Sequence, residues 1–566
     1  MSDFAIPFKL LSTLSLVESY ALVNYQPNLL LFSRPSYLGT FIQLCILQFF
    51  FWAAWIVIIW PQFLSPVRHL PHPSGGSWWN GHFQAIIAST TGGPMTKWVN
   101  EIPNDGLIYY RGLLNVERII LTSPKALAEV LTTNSYDFIR PEQLTTALGR
   151  ILGVGVLLAE GEEHKFQRKH LLPAFAFRHI KNLYPIFWTK SRENVHKMIE
   201  NLGEGGANKE LITDSEMGRD VDTEDTTPVI EAGSWASRVT LDIIGVAGMG
   251  KDFNTIQDPN ALLARTYQSI FVPTKGAMFL GILSMLLPGW FVNNLPFARN
   301  NDMNQASVTI RNLCRREIKE KKEKLEKGAA PDVDILSIAL GSGGFTDENL
   351  VDQMMTFLAA GHETTASSMT WAIYMLCLHP EIQTRLRAEV REYIPSLSND
   401  IGSQEIDRMP YLNAVCSEVL RYYPPVPLTP RIAARNTTIL GQKIPKGTRV
   451  MLIPWAVNRS EALWGKDAQV FNPDRWLPSE SNPYSANGGA RSNYSLLTFL
   501  HGPRSCIGQG MAKGEFACLL ATWVGMFEFS LYDRKELNEE NMVIKGGVTA
   551  RPSKGLWVRT KVVPGW

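Results

Sequence analysis

A single cysteine near the carboxyl end of the chain lies in a segment whose composition suits a metal-bound sulfur. Cys506 has Phe499 seven residues before it, Arg504 two residues before it, and glycines at positions 502 and 508. A sulfur that binds a metal must stay deprotonated, and a nearby guanidinium lowers the pKa of a thiol. Glycine lets the backbone approach a flat ligand closely. A lone cysteine is more often a buried, inert thiol, but the spacing of these neighbours favours a metal ligand.

A helical segment further up the chain carries an acid and a hydroxyl at adjacent positions. Residues 360–365 read Ala-Gly-His-Glu-Thr-Thr, inside a helical pattern that begins at Thr346. A glycine and two threonines, which favour helices weakly, interrupt a segment that otherwise strongly favours a helix. Such interruptions often mark functional sites. The Thr364 hydroxyl can bond the carbonyl four residues earlier, which weakens the helix there. Glu363 and Thr364 together offer a route for protons, although helix packing with a surface glutamate would explain the same residues without chemistry.

Two arginines and a glutamate are spaced for a charged network. Glu418 and Arg421 are three residues apart and therefore share one face of a helix. An isolated pair of this kind is usually exposed and contributes less than about 1 kcal/mol. Arg475 follows in the sequence Phe-Asn-Pro-Asp-Arg-Trp. The pattern indicates structural support rather than a reactive group.

These motifs occur together in the order typical of one protein family. The cysteine string Phe-x-x-Gly-x-Arg-x-Cys-x-Gly is the most specific of them, and the hexapeptide at 360–365 accompanies it. The chain resembles the cytochrome P-450 family of haem-thiolate monooxygenases, in its fungal microsomal form, over residues 75–560. The resemblance implies a mostly α-helical fold with small β-sheets, preceded by an N-terminal transmembrane helix, and haem b as the cofactor.

The resemblance also implies which residues contact the haem. Cys506 would be the axial thiolate ligand of the iron, while Phe499, Gly508 and Gly361 would lie against the cofactor. Four cationic residues would neutralise the haem propionates: His164, Arg168, Arg431 and Arg504. The family more often has tryptophan at the place of His164, so this chain departs from the pattern there, but a histidine can still donate to a carboxylate.

Two further groups of residues inherit roles from the family. Glu363 and Thr364 would deliver protons during oxygen activation. Glu418, Arg421 and Arg475 would form a buried network that holds the chain around the cysteine segment in place. The first group would therefore be catalytic and the second structural.

A monooxygenase of this family activates O2 and oxidises an apolar small molecule. Its electrons would come from NADPH through a separate flavoprotein, NADPH–cytochrome P-450 reductase, with cytochrome b5 as an optional second donor, so that flavins act only in the partner. The style of the sequence favours fungal secondary-metabolite biosynthesis. Two other classes stay open: a haem-thiolate isomerase or dehydratase on the same fold, and a non-catalytic haem-binding sensor or electron carrier.

The composition is that of an ordinary folded protein. The 566 residues are 45% hydrophobic and 19% charged, with a formal net charge of +2, which gives no argument for nucleic-acid binding. The six cysteines are widely spaced without a Cys-x-x-Cys pair. This spacing excludes a disulfide framework or a cysteine zinc site and suits a reducing compartment.

An apolar run near the amino end predicts a membrane anchor. Residues 37–60 contain no charged residue, and about 20 apolar residues span a bilayer core. Prolines and glycines predict a stiff, non-helical hinge over 61–76, while residues 1–36 form an extension without an assigned role. By resemblance to microsomal relatives, the chain would be a single-pass protein of the endoplasmic reticulum membrane, with a cytosolic catalytic domain over 77–566.

Several local patterns predict the elements that carry these motifs. Alternating residues at 106–122 predict a hairpin of strands, and helical patterns cover 124–133, 160–172, 179–200, 304–327 and 346–378. Residues 203–231 contain nine acids against two bases, which predicts a solvated or disordered insertion. Residues 271–297 are apolar but interrupted by prolines, which is compatible with a segment that dips into the membrane interface or with a buried loop.

Overall fold

One long helix, Asp347–Leu378, runs through the interior of the protein in this computed structural model. The Thr346 hydroxyl accepts a hydrogen bond from the amide of Asn349 and caps the first turn, as the sequence predicts. Most side chains of this helix are buried. The structure describes residues 8–26, 36–89, 92–205, 219–222, 224–271, 275–287, 289–328, 333–480, 482, 484–546 and 548–566.

Helices make up most of the described chain, which confirms the predicted fold class. In chain order the α-helices are α1 Phe8–Tyr25, α2 Tyr37–Ala54, α3 Phe83–Ala88, α4 Gly93–Glu101, α5 Pro124–Ala128, α6 Glu142–Leu152, α7 Gly161–Leu171, α8 Phe177–Lys181, α9 Tyr184–Gly203, α10 Ala232–Met249, α11 Leu262–Phe271, α12 Lys275–Leu286, α13 Gly289–Asn293, α14 Ala298–Glu326, α15 Ile335–Gly341, α16 Asp347–Leu378, α17 Pro380–Tyr393, α18 Ser403–Asp407, α19 Pro410–Tyr422, α20 Pro454–Val457, α21 Glu461–Trp464 and α22 Gln509–Met526. Wider π-type turns cover Trp55–Leu64 and Glu129–Thr133, and a 3-10 turn covers Gly502–Arg504.

The strands form small sheets at the edge of the helical body. They are β1 Leu107–Arg111, β2 Glu117–Leu121, β3 Phe138–Ile139, β4 Val229–Glu231, β5 Thr429–Ala433, β6 Thr437–Ile439, β7 Gln442–Ile444, β8 Arg449–Leu452, β9 Phe527–Leu531, β10 Ile544–Gly546, β11 Ala550–Pro552 and β12 Trp557–Val562. The largest sheet has the order β1-β2-β8-β5-β3, with β2 and β8 parallel and the other pairs antiparallel. A second sheet has the antiparallel order β4-β12-β9.

The predicted elements of the catalytic region are present with small shifts of their ends. β1 and β2 form the expected hairpin, with Leu107 opposite Leu121. The first four predicted helices correspond to α5 with the π-type turn after it, α7, α9 and α14. α14 begins at Ala298, earlier than the charged pattern indicates. Tertiary packing extends a helix beyond its polar stretch, because the end residues gain buried contacts.

The central helix α16 is surrounded by other helices. It packs along its length against α10 and also contacts α14 and α22. Trp371 of α16 stacks on Tyr423 with ring centroids 4.2 Å apart, in the middle of the main hydrophobic core. α16 thus carries the predicted proton-delivery residues on a helix that is packed into the main hydrophobic core.

The helix predicted to be the membrane anchor is longer than the sequence predicts. α2 continues without interruption into the π-type turn Trp55–Leu64, so that 28 residues from Tyr37 form one helix that is long and apolar enough to cross a membrane. The predicted non-helical hinge therefore begins about four residues too early. Pro61 stays inside the helix because the wider turn accommodates its ring.

The end of this helix is fixed to the catalytic domain. The Asn115 side chain donates to the Val57 carbonyl of this helix at 2.7 Å. The Trp60 indole donates to the Glu117 carboxylate at 3.1 Å, and burial raises the pKa of Glu117. The anchor is thus joined to the β1–β2 hairpin by directed hydrogen bonds.

Two other predictions concern irregular segments. Within the acidic stretch, residues 206–218 and 223 lie outside the described residues. Its end is ordered structure, because β4 pairs with β12 and the Glu231 carboxylate caps α10. In the segment 271–297, the described residues form α12 and α13 instead of a loop, and the exposed rings of Phe279 and Phe291 favour the membrane-interface interpretation over a buried loop.

The network of Glu418, Arg421 and Arg475 is buried in the structure. Arg421 donates to both carboxylate oxygens of Glu418, at 2.8 and 2.7 Å, and Arg475 donates to Oε1 at 3.2 Å. The Trp476 indole adds a hydrogen bond to Oε2 at 2.9 Å. The side chains of Glu418 and Arg421 are completely inaccessible to solvent. This is not the exposed pair that the local sequence would suggest.

The network continues toward the cysteine segment. Arg421 donates to the carbonyl of Asn458 at 2.9 Å, and the Asn458 side chain accepts from the amide of Leu497 at 2.7 Å. Thr498 donates to the carbonyl of Leu420 at 2.7 Å. Leu497 and Thr498 directly precede Phe499, so the buried charges hold the chain that leads into the cysteine segment.

We expect the Glu418→Gln substitution to destabilise the protein by about 3–5 kcal/mol, because it leaves the buried Arg421 guanidinium without a counter-charge and removes one of the two carboxylates that pair with Arg475. Chemical denaturation of the purified protein measures this change. Glu528→Gln, on the exposed side of β9, is the matched control and should have little effect. Equal free energies of unfolding for the two variants would contradict a stabilising role of the Glu418 carboxylate.

Candidate active site

The backbone of residues 499–508 forms a tight turn around the cysteine. The amide of Cys506 donates to the carbonyl of Phe499 at 2.9 Å. Leu500 has a positive φ of 55°, and Gly508 begins the following helix α22. The Cys506 side chain is exposed, while Arg504 two residues earlier is buried. The turn therefore leaves Cys506 accessible and buries Arg504.

Gly502 is required by the packing of the protein itself. It has a φ of +75°, and a Cβ built on it would lie 2.1 Å from the Leu131 carbonyl oxygen. The lack of a side chain at Gly502 thus has a packing reason of its own, and the close approach of a flat ligand at this position stays a prediction. Gly502 lets the turn pack against the π-type turn Glu129–Thr133.

The electrostatic environment of Cys506 differs from the prediction. The sulfur is accessible, yet protein surrounds it on most sides, and this burial raises the pKa of the thiol. The Gly508 amide and the charge of Arg168 act in the opposite direction. Arg168, which donates to the Ser505 carbonyl at 2.7 Å, thus has the role expected of Arg504. A bound metal cation would favour the thiolate more strongly than these groups do.

Arg504 belongs to a cluster of buried cations. Its guanidinium contacts Glu160, which also pairs with Arg140 at 3.4 Å. Burial lowers the pKa of Arg431 to about 9, and the charges of Arg140 and Arg504 contribute next. Burial likewise lowers the pKa of Arg140 to about 10. Three guanidiniums therefore share one nearby carboxylate, Glu160.

His164 adjoins the same cluster. Its Nδ1 lies 3.1 Å from the Tyr136 hydroxyl, and the Tyr136 ring also lies under the Arg504 guanidinium at 5.3 Å. Burial lowers the pKa of His164 to about 4, and the charge of Arg504 adds to this effect. The imidazole is therefore neutral at cellular pH, and it can contribute a hydrogen bond but no positive charge.

These residues fit a haem. The cluster has an excess of positive charge, and Nε and Nη1 of Arg504 are buried without a hydrogen-bond partner among the described residues. Two propionates would supply both the charge and the acceptors. Within the described chain, no group of three or more His, Cys, Asp or Glu residues could hold a metal ion alone. A porphyrin would supply the ligands that complement one thiolate.

One face of α16 is accessible although the rest of the helix is buried. Ala360, Gly361 and Thr364 are partly exposed, whereas His362, Glu363 and Thr365 are buried. The Thr364 hydroxyl donates to the Ala360 carbonyl at 2.8 Å, as predicted. The hydroxyl and the glycine backbone are therefore exposed on the same face of the helix.

Gly361 also has a packing role that sequence reasoning missed. A Cβ at this position would lie 2.8 Å from Cδ1 of Ile244 on α10. The glycine thus lets α10 and α16 approach each other closely. Its partial exposure is compatible with the predicted contact to the cofactor as well.

Glu363 is held by residues of the carboxyl-terminal strands. The Thr549 hydroxyl donates to Oε1 at 2.7 Å, and Arg551 pairs with Oε2 at 2.8 Å. The Glu363 side chain is buried, while the Arg551 side chain keeps about a quarter of its surface exposed. The Glu363–Arg551 ion pair therefore connects the protein surface with Glu363, which precedes Thr364.

Two neighbours of the acid and the hydroxyl have structural partners. His362, left unassigned by the sequence, lies 2.8 Å through Nε2 from the Ser237 hydroxyl, and burial lowers its pKa to about 3. The Thr365 hydroxyl donates to the buried Glu515 at 3.3 Å. Glu515 lies on α22, which begins just after Cys506. The Thr365–Glu515 contact therefore joins the buried side of α16 to the helix that follows the cysteine turn.

Several residues of the site were missed by sequence reasoning. Arg140, Tyr136 and Glu160 come from loops before α6 and α7 and belong to no motif. Arg551 and Thr549 lie near the carboxyl end, nearly two hundred positions after Glu363. No local pattern indicated Arg140, because the strand before it, β3, is only two residues long and was not predicted.

Comparison with known proteins agrees with this site. A family model described as Cytochrome P450 matches residues 71–557. Cytochrome P450 monooxygenase ALT8 of Alternaria alternata is 44% identical, covering 94% of this chain and 96% of the relative. Cytochrome P450 monooxygenases sphH of Aspergillus fumigatus and FUM15 of Gibberella moniliformis are each 45% identical, covering 90% of this chain and 91% and 90% of the relatives. The chain therefore belongs to the cytochrome P450 family and is a P450 monooxygenase.

Proposed function

We propose that this monooxygenase oxidises an apolar small molecule in fungal secondary metabolism, with electrons from NADPH through a separate reductase. The observation that carries the proposal is the presence of two accessible groups, the Cys506 thiol and the Thr364 face of α16, in a fold where the Thr365–Glu515 hydrogen bond joins α16 to α22, the helix that follows the cysteine turn. An isomerase or a carrier needs no acid beside a hydroxyl at this place. The chain has both, in Glu363 and Thr364.

Haem, when bound through Cys506, supplies the redox chemistry of O2 activation. The residues of the chain would hold and orient the cofactor around that chemistry. Arg140, Arg431 and Arg504 would bind the propionates, and the neutral His164 would add a hydrogen bond. Arg168 would support the thiolate from the side of Ser505, where it already donates to the backbone.

Glu363 and Thr364 would move protons toward the accessible face of α16. Arg551 holds the Glu363 carboxylate at 2.8 Å and is partly exposed, so rotation of this pair could exchange protons with solvent. The Thr364 hydroxyl donates its proton to the Ala360 carbonyl, so it can accept a hydrogen bond on the open face of the helix and would donate there after rotation of its O–H. Burial of Glu363 would limit the entry of water to this route.

The partner and the location follow from the same proposal. NADPH–cytochrome P-450 reductase would act in trans, with cytochrome b5 as an optional donor. The helix from Tyr37 would anchor the chain in the endoplasmic reticulum membrane, with the catalytic domain in the cytosol. Purified protein with reductase, NADPH and candidate apolar substrates tests the activity. Product formation that needs neither NADPH nor reductase would contradict the proposal and favour the isomerase or dehydratase class.

Cys506→Ser should remove the red-shifted absorption band that reduced haem-thiolate proteins show with carbon monoxide, because a hydroxyl does not replace a thiolate ligand. The difference spectrum of the reduced protein measures this band. Cys416→Ser, at a buried cysteine of α19, is the control and should keep it. A full band in Cys506→Ser would exclude Cys506 as the axial ligand.

Thr364→Ala should keep haem binding but divert reducing equivalents to peroxide, because the hydroxyl on the open face is lost. The ratio of product formed to NADPH consumed measures this coupling. We expect a loss on the order of tenfold or more, within the usual range for general acid–base groups. Thr370→Ala removes a hydroxyl with the same bond, to the Ala366 carbonyl at 2.8 Å, but at a buried position. Coupling that falls equally in both variants would contradict a specific role of Thr364.

Arg431→Gln should weaken haem retention, because charge-assisted hydrogen bonds contribute about 1.5–3 kcal/mol each. The rate of haem transfer to an excess of apomyoglobin should rise by about tenfold, as expected for a loss near 1.4 kcal/mol. Arg408→Gln, at an exposed arginine, is the matched control. An unchanged transfer rate in Arg431→Gln would remove Arg431 from the cofactor site.

A further inference from the structure

The extension before the anchor contains a helix that is paired with the anchor itself. α1, Phe8–Tyr25, packs against α2 over the amino-terminal part of α2. Ser15 donates to Gln48 at 3.2 Å, and Tyr37 donates to Asn24 at 3.0 Å. Positions rise along α1 as they fall along α2. The two helices are therefore antiparallel.

The contact surface has the composition of a helix interface within a membrane. Ser15, Ser19 and Thr40 are the buried residues between the two helices. Small residues allow close helix packing in lipid, and polar side chains add hydrogen bonds across the interface. The carboxylate of Glu18 accepts a hydrogen bond from the Gln48 amide at 2.6 Å. An ionisable group in lipid is costly unless it has such a partner.

The remaining polar side chains of α1 are mostly bonded to its own backbone. The hydroxyls of Thr13 and Ser19 donate to the carbonyls of Lys9 and Leu16, and the Asn24 amide donates to the Tyr20 carbonyl. Satisfied polar groups are what a hydrocarbon environment requires. Water would not impose this constraint.

The outer face of α1 is strongly apolar. Leu10, Leu14, Leu16, Val17 and Tyr20 are exposed, Leu16 and Val17 by more than 60%. This face is continuous with the exposed apolar surface of α2, which includes Ile42, Ile46 and Phe50. A continuous exposed apolar surface of this kind is usually shielded from water by a partner or a membrane. The hydrocarbon proposed to surround α2 is directly adjacent to it.

We propose that α1 crosses the same bilayer as α2, as an antiparallel helical hairpin that places the amino terminus on the side of the catalytic domain. The proposal rests on the membrane anchoring proposed above. Because α1 contacts α2 between Tyr37 and Gln48, it would lie at the same depth in the bilayer as this part of α2. Its 18 residues are about 27 Å long, close to the hydrocarbon thickness of about 30 Å. Among the described helices only the one from Tyr37 is apolar enough to cross alone, so α1 would cross as the paired partner of α2.

The hairpin also resolves the weak charge bias of the sequence. With a single crossing, Lys9 and Arg34 would lie on one side of the membrane and Arg68 on the other. With two crossings, Lys9 joins Arg68 and His69 on the cytosolic side, and only Arg34 lies in the lumen. Positive residues then predominate on the cytosolic side, as they do in most membrane proteins.

A glycosylation tag before Met1 tests the topology in microsomes of the expressing cell. In the full chain the hairpin keeps this tag in the cytosol and unglycosylated. In a variant that lacks residues 1–26, the same tag precedes α2 alone and should become glycosylated. Glycosylation in both forms would overturn the hairpin but retain the anchor. Glycosylation in neither would overturn the anchor and, with it, the hairpin.

Cross-linking tests the packing independently. Ser19 lies one turn after Ser15, and the native Cys45 lies one turn before Gln48 on the facing helix. In Ser19→Cys, oxidation should link residue 19 to Cys45, so that an amino-terminal tag stays attached after proteolysis at a site introduced between residues 26 and 36. Val17→Cys, on the outer face, is the control and should release the tag. Release from Ser19→Cys as well would overturn the antiparallel packing.

Discussion

A completely buried carboxylate determines how the carboxyl-terminal third of this protein is arranged. Glu418 accepts hydrogen bonds from Arg421, Arg475 and Trp476, and two of these donors lie more than fifty positions further along the chain. A charge in the interior is tolerated only when its partners are complete. Formation of the network therefore requires the long segment after α21 to fold back on α19. The cysteine turn follows that segment and has its position fixed by the same bonds.

The other buried charges of the site are arranged in the opposite way. Glu418 has a full set of donors, whereas Arg140, Arg431 and Arg504 share a single carboxylate, Glu160. Such an excess of buried positive charge lowers the stability of the protein alone and raises its affinity for an anionic ligand. Binding of a cofactor with two carboxylates would thus contribute to folding. The site thus combines a fully paired network around Glu418 with an arginine cluster that has an excess of positive charge. This combination is consistent with a site built for a tightly held anionic prosthetic group.

The sequence predicted the parts of the site that lie within short motifs. The Thr364–Ala360 bond, the cap at Thr346 and the β1–β2 hairpin each depend on residues that are near one another in the chain. Arg140 and Arg551 could not be predicted, because tertiary folding alone brings them to Arg504 and Glu363. The packing role of Gly502 was missed for the same reason: its close neighbour is Leu131, far away in sequence.

The anchor shows how one tertiary contact changes the meaning of a local pattern. Pro61 predicts the end of a helix, but the bonds from Asn115 and to Glu117 stabilise a wider turn that continues through it. As a result, the membrane helix does not lead into a free hinge at this point. Its last turns are bonded to the sheet that adjoins the cationic cluster through β3 and β5. The helix is therefore attached to the catalytic domain by hydrogen bonds, and in the proposed membrane arrangement these bonds and the α1–α2 pair would set the orientation of the domain toward the bilayer.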